Sequence, residues 1–410
     1  MNTNTKCRII NEPLEMVVDF GKQPLGNGFL TKENFCNEYF FEMQCGFNEK
    51  SMMFQLINQP EPEKMFHENY AFFSSTSNYM KKHFFDFYES CMNSDFMPKD
   101  PFVIELGCND GIMLENFAKN NIRHLGIEPS KNVAIEANKK GVKTISKFFD
   151  ASITEEIINS HGKADLFLAA NVMCHIPNIN SVVEGIKNIL NEKGVVIFED
   201  PYLGDVIEKV SYDQIYDEHV FLFSAHSIQF LFGQYDMELI DVERQTTHGG
   251  SMRYTLAHKE VYPVSLNVKK IINWEKKQGL NKIETFHNFQ TNIEKSKEDL
   301  LKLLNNLRKE SKDIFGYAAT SKSTTILNYC GIGPDLISKI YDTTPLKHGK
   351  FSPGMHIPII NYSEFKFEKS DFGFLFAWNH SKEIINKELD YSKNGGKWIT
   401  HVPNVGFIKI

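Results

Sequence analysis

No stretch of the chain holds the roughly 18 consecutive apolar residues that a membrane-crossing helix needs, and residues 1–10 lack the apolar centre of a secretory signal. Cys-x-x-Cys pairs are missing too. Seven cysteines lie scattered at positions 7, 36, 45, 91, 108, 174 and 330, an odd number without the spacing of a disulfide framework or a zinc knuckle. No basic run is long enough to follow a phosphate backbone, and 45 basic against 52 acidic residues leave a net charge of −7. That balance argues against nucleic acid as a partner. These absences lead us to expect a reduced, soluble, cytoplasmic protein with no membrane partner, either a monomer or a small homo-oligomer. At 410 residues it has room for two or three domains.

What is present is concentrated in Val103–Ser130. An apolar strand, Phe102-Val103-Ile104, ends at Glu105 and enters a turn with Gly107 and Gly111. An amphipathic segment from Ile112 to Lys119 follows, then a second short strand ending at Glu128. Strand, glycine turn, helix, strand and carboxylate form the opening half of a nucleotide-binding α/β sheet. Glycine lets the backbone approach a ligand closely, and a carboxylate past the second strand can accept hydrogen bonds from ribose hydroxyls. A dinucleotide site requires Gly-x-Gly-x-x-Gly; the run Gly107-Cys-Asn-Asp-Gly111 lacks the middle glycine and puts Asp110 where a phosphate would be repelled. The run resembles motif I of class I S-adenosylmethionine-dependent methyltransferases, whose cofactor is cationic at sulfur and has no phosphate.

Strand–helix alternation continues from about 81 to 245. Strands are expected at 102–105, 124–127, 143–146, 166–169, 195–198 and 238–242, and helices around 112–119, 131–139, 152–159, 180–190 and 225–232. Before it, strand-like pieces at 16–18 and 52–56 sit among Pro/Gly/Asn punctuation. After it, Leu280, Ile283, Phe286, Ile293, Leu300, Leu304 and Leu307 mark one long helix over 275–310. A second strand–turn–helix–strand–acid pattern then runs from 313 to Asp342. Its turn is rich in Ser and Thr and holds Lys322, so a phosphate at the helix N-terminus and an empty turn are both open readings.

Taken together, these residues resemble the sugar C-methyltransferases that act on nucleotide-linked keto-deoxysugars. The resemblance rests on Tyr70-Ala-Phe-Phe-Ser-Ser75, Glu105-Leu-Gly-Cys-Asn-Asp-Gly111, Gly126-Ile-Glu-Pro-Ser130, Ala170-Asn-Val-Met-Cys-His175-Ile-Pro177, Tyr216-Asp-Glu-His219 with Phe223-Ser224, His248-Gly-Gly-Ser-Met-Arg253, and Lys347-His-Gly349 with Pro353-Gly-Met-His-Ile-Pro358. It implies an α/β chain in three parts: a small N-terminal lobe (1–80), a central class I methyltransferase domain with a doubly wound sheet (81–247), and a C-terminal Rossmann-like domain with a long linking helix (248–410). It also implies His219 as the base, with Tyr216, Glu218, His175 and Tyr70 around it. Glu105, Gly107, Asn109, Gly111, Glu128 and Asn171 would hold S-adenosylmethionine, and Lys322, Arg253 and Asn328 are candidates for the substrate.

The chain departs from that family in its lobe, where two Cys-x-x-Cys pairs would bind zinc. Cys7-Arg-Ile-Ile10 keeps one thiol and Asn48-Glu-Lys-Ser51 none, so neither zinc nor any other metal is expected. The chemistry stands beside the resemblance. Methylating carbon needs an enolate, and histidine has a pKa suited to a base near neutral pH. Tyr216 and His219 share a face on a helical turn, whereas an extended segment would pair Tyr216 with Glu218. The expected activity is S-adenosylmethionine-dependent C-methylation of a nucleotide-diphospho-keto-sugar; O-methylation of a sugar from the same cofactor site is the alternative.

Overall fold

The computed structural model describes residues 6–61, 65 and 78–409; Tyr70 and its motif lie outside the described residues. The lobe opens with β1 (Glu15–Pro24), β2 (Phe40–Asn48) and β3 (Met53–Leu56), all antiparallel. β2 is absent from the expected strands although its pattern is clear. Phe41, Met43, Cys45 and Phe47 alternate and are all buried, the period of a strand with one covered face.

α1 (Asn78–Met92) leads into the central unit. Its elements are β4 (Phe102–Leu106), α2 (Leu114–Lys119), β5 (Arg123–Ile127), α3 (Lys131–Lys139), β6 (Thr144–Ile145), α4 (Ala151–His161) and β7 (Ala164–Ala170). They continue with α5 (Ile179–Ile189), β8 (Leu190–Pro201), α6 (Leu203–Lys209), β9 (Phe221–Leu222), α7 (Ala225–Gly233), β10 (Met237–Gln245) and β11 (Ser251–His258). The seven-stranded sheet has the order β10-β11-β8-β7-β4-β5-β6. From β4 the chain winds outward in both directions, so β4 and β7 flank the crevice where such sheets bind ligands. β9 leaves this unit to pair with β3, Phe54 opposite Leu222, and completes the lobe's sheet.

Two expected boundaries need correction. A division at 247/248 would cut the β10–β11 hairpin: β11 pairs with β8 from Ser251↔Pro201 to Ala257↔Val195 and buries Met252, Tyr254 and Leu256. A division at 80/81 falls inside α1. The expected single helix over 275–310 is two helices, α8 (Leu266–Gln278) and α9 (Ile283–Lys309). Gly279 ends the first in the left-handed region at φ +73°, a conformation that costs glycine little. α8 is pinned to the central unit by its buried Glu275, whose carboxylate accepts from Ala225 N (2.7 Å), His226 N (3.0 Å) and Tyr202 Oη (2.8 Å). α9 bridges two units, since its buried stripe packs against both the lobe and the third sheet, with Phe286 stacked 4.1 Å from Phe47.

The third unit contains β12 (Ile314–Tyr317), α10 (Ser321–Cys330), β13 (Ile340–Asp342), β14 (Ile359–Asn361), β15 (Phe372–Leu375), β16 (Lys397–Thr400) and β17 (Gly406–Phe407). Its order is β14-β13-β12-β15-β16-β17, parallel except for β17. The direction of winding switches between β12 and β15. No helix among the described residues is long and apolar enough to cross a membrane.

Candidate functional site

Where β4 and β7 end, two loops meet so closely that a Cβ on Gly107 would lie 2.3 Å from Val172 Cγ2. Gly107 (φ +64°), Asn109 (+49°), Gly111 (+78°) and Asn171 (+55°) all adopt left-handed backbone there, which glycine and asparagine tolerate best. Glu128, at the end of β5, ties the crevice together, accepting from Asn109 N at 3.0 Å and Ser130 N at 2.8 Å. Burial raises its pKa, and burial together with the neighbouring Glu128 and Asp110 pushes the Glu105 carboxyl well up. Glu105 Oε2 is buried and has no hydrogen-bond partner among the described residues. Such an orphaned group calls for a donor from a ligand. Asp110 pairs with Lys140 at 3.2 Å.

The segment after α6 resolves the choice between helical and extended backbone. Residues 216–219 form a turn closed by His219 N donating to Tyr216 O at 2.9 Å, which places the Tyr216 and His219 rings together. Tyr216 Oη lies 2.7 Å from His219 Nε2, and His219 Nδ1 lies 2.7 Å from the Gln214 carbonyl. A carbonyl only accepts, so Nδ1 carries the proton; Nε2 is then the lone pair, receiving the Tyr216 hydroxyl. Burial, then the neighbouring His175, holds the His219 pKa well below 6.5. His175 stacks on it at 5.2 Å between ring centroids, and burial takes its own pKa down to about 4.

Glu218 faces away from these rings. Its Oε1 accepts from Asn27 Nδ2 of the lobe at 2.8 Å, and Asp217 Oδ1 accepts from Gly26 N at 3.0 Å. Burial raises both carboxyls. The third unit reaches the same place through Thr325 Oγ1, which donates to Ile215 O at 2.9 Å, and Thr324 Oγ1, which donates to Gly26 O at 2.8 Å. The turn is therefore clamped by all three units.

Lys322, in the first turn of α10, sits at the switch point of the third sheet. Its ammonium donates to His248 O (3.2 Å) and Asn379 Oδ1 (3.4 Å) and lies over the Trp378 ring. Burial lowers its pKa to about 8, and its charge helps to lower that of His219. Trp378 Nε1 donates to Asp213 Oδ2 at 2.7 Å, which joins the third unit to the segment just before the 216–219 turn. The N-terminus of α10 is filled. Thr320 and Ser323 form a capping box, and Ala319 N donates to Asp342 Oδ2 at 2.8 Å, so a phosphate there would have to displace side chains already in place.

Two candidates are corrected. The Arg253 guanidinium is committed to Glu199 Oε1 (Nε at 2.6 Å, a second nitrogen at 2.5 Å) and Glu243 Oε2 (3.2 Å), and it covers the Phe87 ring. Asn328 Nδ2 donates to Thr324 O at 2.8 Å and Pro353 O at 3.0 Å, fastening a loop to α10. Both side chains are thus engaged within the protein. Sequence reasoning missed Asn27, Asp213 and Trp378; of these, only Asn27 lay in a stretch singled out, and there as loop punctuation.

Comparisons with known proteins show the family. Family models match "C-methyltransferase C-terminal domain" at residues 246–403 and "Methyltransferase domain" at 79–242. C-methyltransferase NovU of Streptomyces niveus is 31% identical over 392 residues, covering 94% of this chain and 92% of that protein. The chain belongs to the S-adenosylmethionine-dependent C-methyltransferases. The enzyme is also 26% identical over 100 residues to the ubiquinone biosynthesis O-methyltransferase of Glaesserella parasuis, covering 23% of this chain and 42% of that one. Among solved structures, an S-adenosylmethionine-dependent methyltransferase of Anabaena variabilis matches 45% of this chain and 86% of its own, at 16% identity and a TM-score of 0.36.

A third family model, "Putative zinc binding domain", matches residues 7–66. It does not fit the expectation of no zinc, which is corrected to this extent: the stretch carries the pattern of a zinc lobe. The side chains brought together there are one thiol, one hydroxyl and one amide. Cys7 Sγ lies 3.2 Å from Ser51 Oγ, which donates to Asn48 Oδ1 at 3.0 Å. That donor set does not match the four thiolate or imidazole ligands of structural zinc, and no chemistry is routed through a metal in the lobe.

Proposed function

We propose that the enzyme methylates the carbon next to the ketone of a nucleotide-diphospho-keto-sugar, with His219 as the base that generates the enolate. The observation that carries this reading is the fixed tautomer of His219: Nδ1–H is held by Gln214 O and the Nε2 lone pair lies 2.7 Å from the Tyr216 hydroxyl. In our reading Nε2 takes the α-proton, the C–H electron pair spreads onto the ketone oxygen, and the Gln214 carbonyl stabilises the imidazolium. The Tyr216 hydroxyl turns from Nε2 to the enolate oxygen, with His175 as a second donor. A positioned base contributes ~10²–10⁴ in rate and each oxyanion donor ~10²–10³. Glu218, buried on Asn27, fixes the turn from behind.

S-adenosylmethionine supplies an electrophilic methyl group when bound. Glu105, Gly107, Asn109, Gly111, Glu128 and Asn171 would hold it, and the orphaned Glu105 Oε2 together with the Gly107 cradle supports the fit. The nucleotide half of the substrate is assigned to the third sheet, whose switch point lies beside the turn and carries the Lys322 ammonium. The Tyr70 role suggested by the resemblance stays part of the proposal.

The test is incubation with a panel of nucleotide-linked 4-keto-6-deoxysugars in D₂O, following α-proton loss by NMR and the methylated product by mass spectrometry. Exchange and a carbon-bound methyl, both lost in His219→Asn, are expected. A methyl found as an ether, or α-exchange untouched in His219→Asn, would overturn the proposal.

A further inference from the structure

The reaction proposed above leaves Cys174 without a task. It closes the short turn Met173–His175 after β7 and is fully buried, its backbone N donating to Asp200 Oδ2 at 3.1 Å. Its neighbours are the two site histidines. Cys174 Sγ and one ring nitrogen each of His175 and His219 lie within 4.8 Å of one another, and no other group of three His, Cys, Asp or Glu side chains among the described residues is gathered as a metal site would require. The three donors come from two elements, the β7 turn and the 216–219 turn, which the imidazole stacking holds in register.

We infer that Cys174, His175 and His219 form a binding site for a thiophilic divalent cation such as Zn²⁺, and that a cation bound there silences the base. Two imidazoles and one thiolate with an open fourth position are a recurrent zinc donor set. Donor atoms around tetrahedral zinc stand about 3.4–3.8 Å apart, from bond lengths of about 2.0–2.3 Å. The donor atoms, at most 4.8 Å apart, would have to approach by about 1 Å per pair. The tautomer suits it: Gln214 O keeps the proton on Nδ1, so Nε2 can coordinate once the Tyr216 hydroxyl, 2.7 Å away, turns from it. On binding, the Cys174 S–H bond breaks, the thiolate pair goes to the metal and one proton passes to the buffer. The Nε2 lone pair that would take the substrate's proton is then in a metal bond. Only this last consequence rests on His219 being the base; the site itself does not.

The test titrates Co²⁺ into the full-length enzyme without substrate, read by absorption, and then Zn²⁺ into the methyl-transfer assay. We expect thiolate-to-cobalt charge transfer with intense tetrahedral d–d bands, displaced by Zn²⁺, and one fewer equivalent of both in Cys174→Ala. Metal held by the lobe would persist in that variant, so the difference isolates this site. Cys174→Ala should keep its methyl-transfer rate and resist Zn²⁺ about tenfold or more. Cofactor affinity checks its fold, and His175→Asn, read by the same bands, serves if it fails. Cobalt spectra unchanged by both substitutions, or Zn²⁺ inhibition equal in wild type and Cys174→Ala, would overturn the inference. If the metal binds but methyl transfer continues, the cation does not silence the base, and that half of the inference falls.

Discussion

Asn27 of the lobe donates from Nδ2 to Glu218 Oε1 at 2.8 Å, across 191 residues of chain, and so places the lobe directly behind the turn that holds Tyr216 and His219. The lobe thereby supports that turn. Replacing Asn27 with Ala leaves a buried carboxyl without its donor, a loss of about 1–3 kcal/mol for a group of this kind. We predict a fall of about tenfold or more in kcat with S-adenosylmethionine affinity unchanged, since the cofactor crevice is built from other loops. Equal loss of cofactor binding, measured by calorimetry, would show that the effect is general unfolding.

With His219 as the proposed base, its environment would set the acid limb of the pH profile. Burial and His175 lower its pKa, so the neutral, basic form persists as pH falls through the ordinary histidine value near 6.5. The rate should stay flat through that region and drop only below it, with His175, at about 4, following the same sign. The same groups destabilise the fold in acid. Their folded pKa values lie below the unfolded ones, so the stability present above about 6.5 is lost as pH falls towards the folded values. A kcat/KM profile with an acid pKa at 6.5 would mean that the base is solvated in the working enzyme.

Gly107→Ala tests the cofactor crevice. The new Cβ would stand 2.3 Å from Val172 Cγ2, at a φ of +64° that alanine rarely adopts. Strain of about 1–3 kcal/mol in the loop predicts S-adenosylmethionine binding weaker by about tenfold or more. Undiminished affinity by calorimetry would place the cofactor elsewhere.

Glu275→Ala removes the carboxylate that accepts from Ala225 N, His226 N and Tyr202 Oη. Hydrogen bonds to a charged group contribute about 1.5–3 kcal/mol, and the change leaves two buried donors, Ala225 N and Tyr202 Oη, and the part-buried His226 without this acceptor. A loss of about 3 kcal/mol in chemical denaturation is expected, whereas Glu275→Gln, which keeps an acceptor, should lose less. Equal losses would show that packing alone matters there.

The doubly wound pattern was readable because its strands and helices carry their own periodicity. Phe102–Glu105 and residues 166–169 lie within β4 and β7. Expectation failed where pairing depended on distant chain. β11 joined the central sheet because β8 offered it an edge, and β9 left for the lobe through Phe54 and Leu222. The long helix broke at Gly279, which the apolar stripe on both sides had concealed. Arg253 and Asn328 read as binding residues from their motif or helix position, but their donors were already taken by Glu199, Glu243 and Pro353.

By itself, the sequence determined the α/β class, the glycine turn after β4, the acid at the end of β5 and the spacing of Tyr216, Glu218 and His219. Each of these is a local property, fixed by periodicity, backbone freedom or residue type within a few positions. Only the tertiary structure decided that Tyr216 faces His219 Nε2 while Glu218 turns to Asn27, and that Lys322 approaches from the third sheet. Those relations come from hydrogen bonds and burial between segments up to about 300 residues apart, such as Thr324 Oγ1 to Gly26 O (|i−j| = 298). Burial of this kind keeps a histidine neutral well below its ordinary pKa, and no single segment carries it.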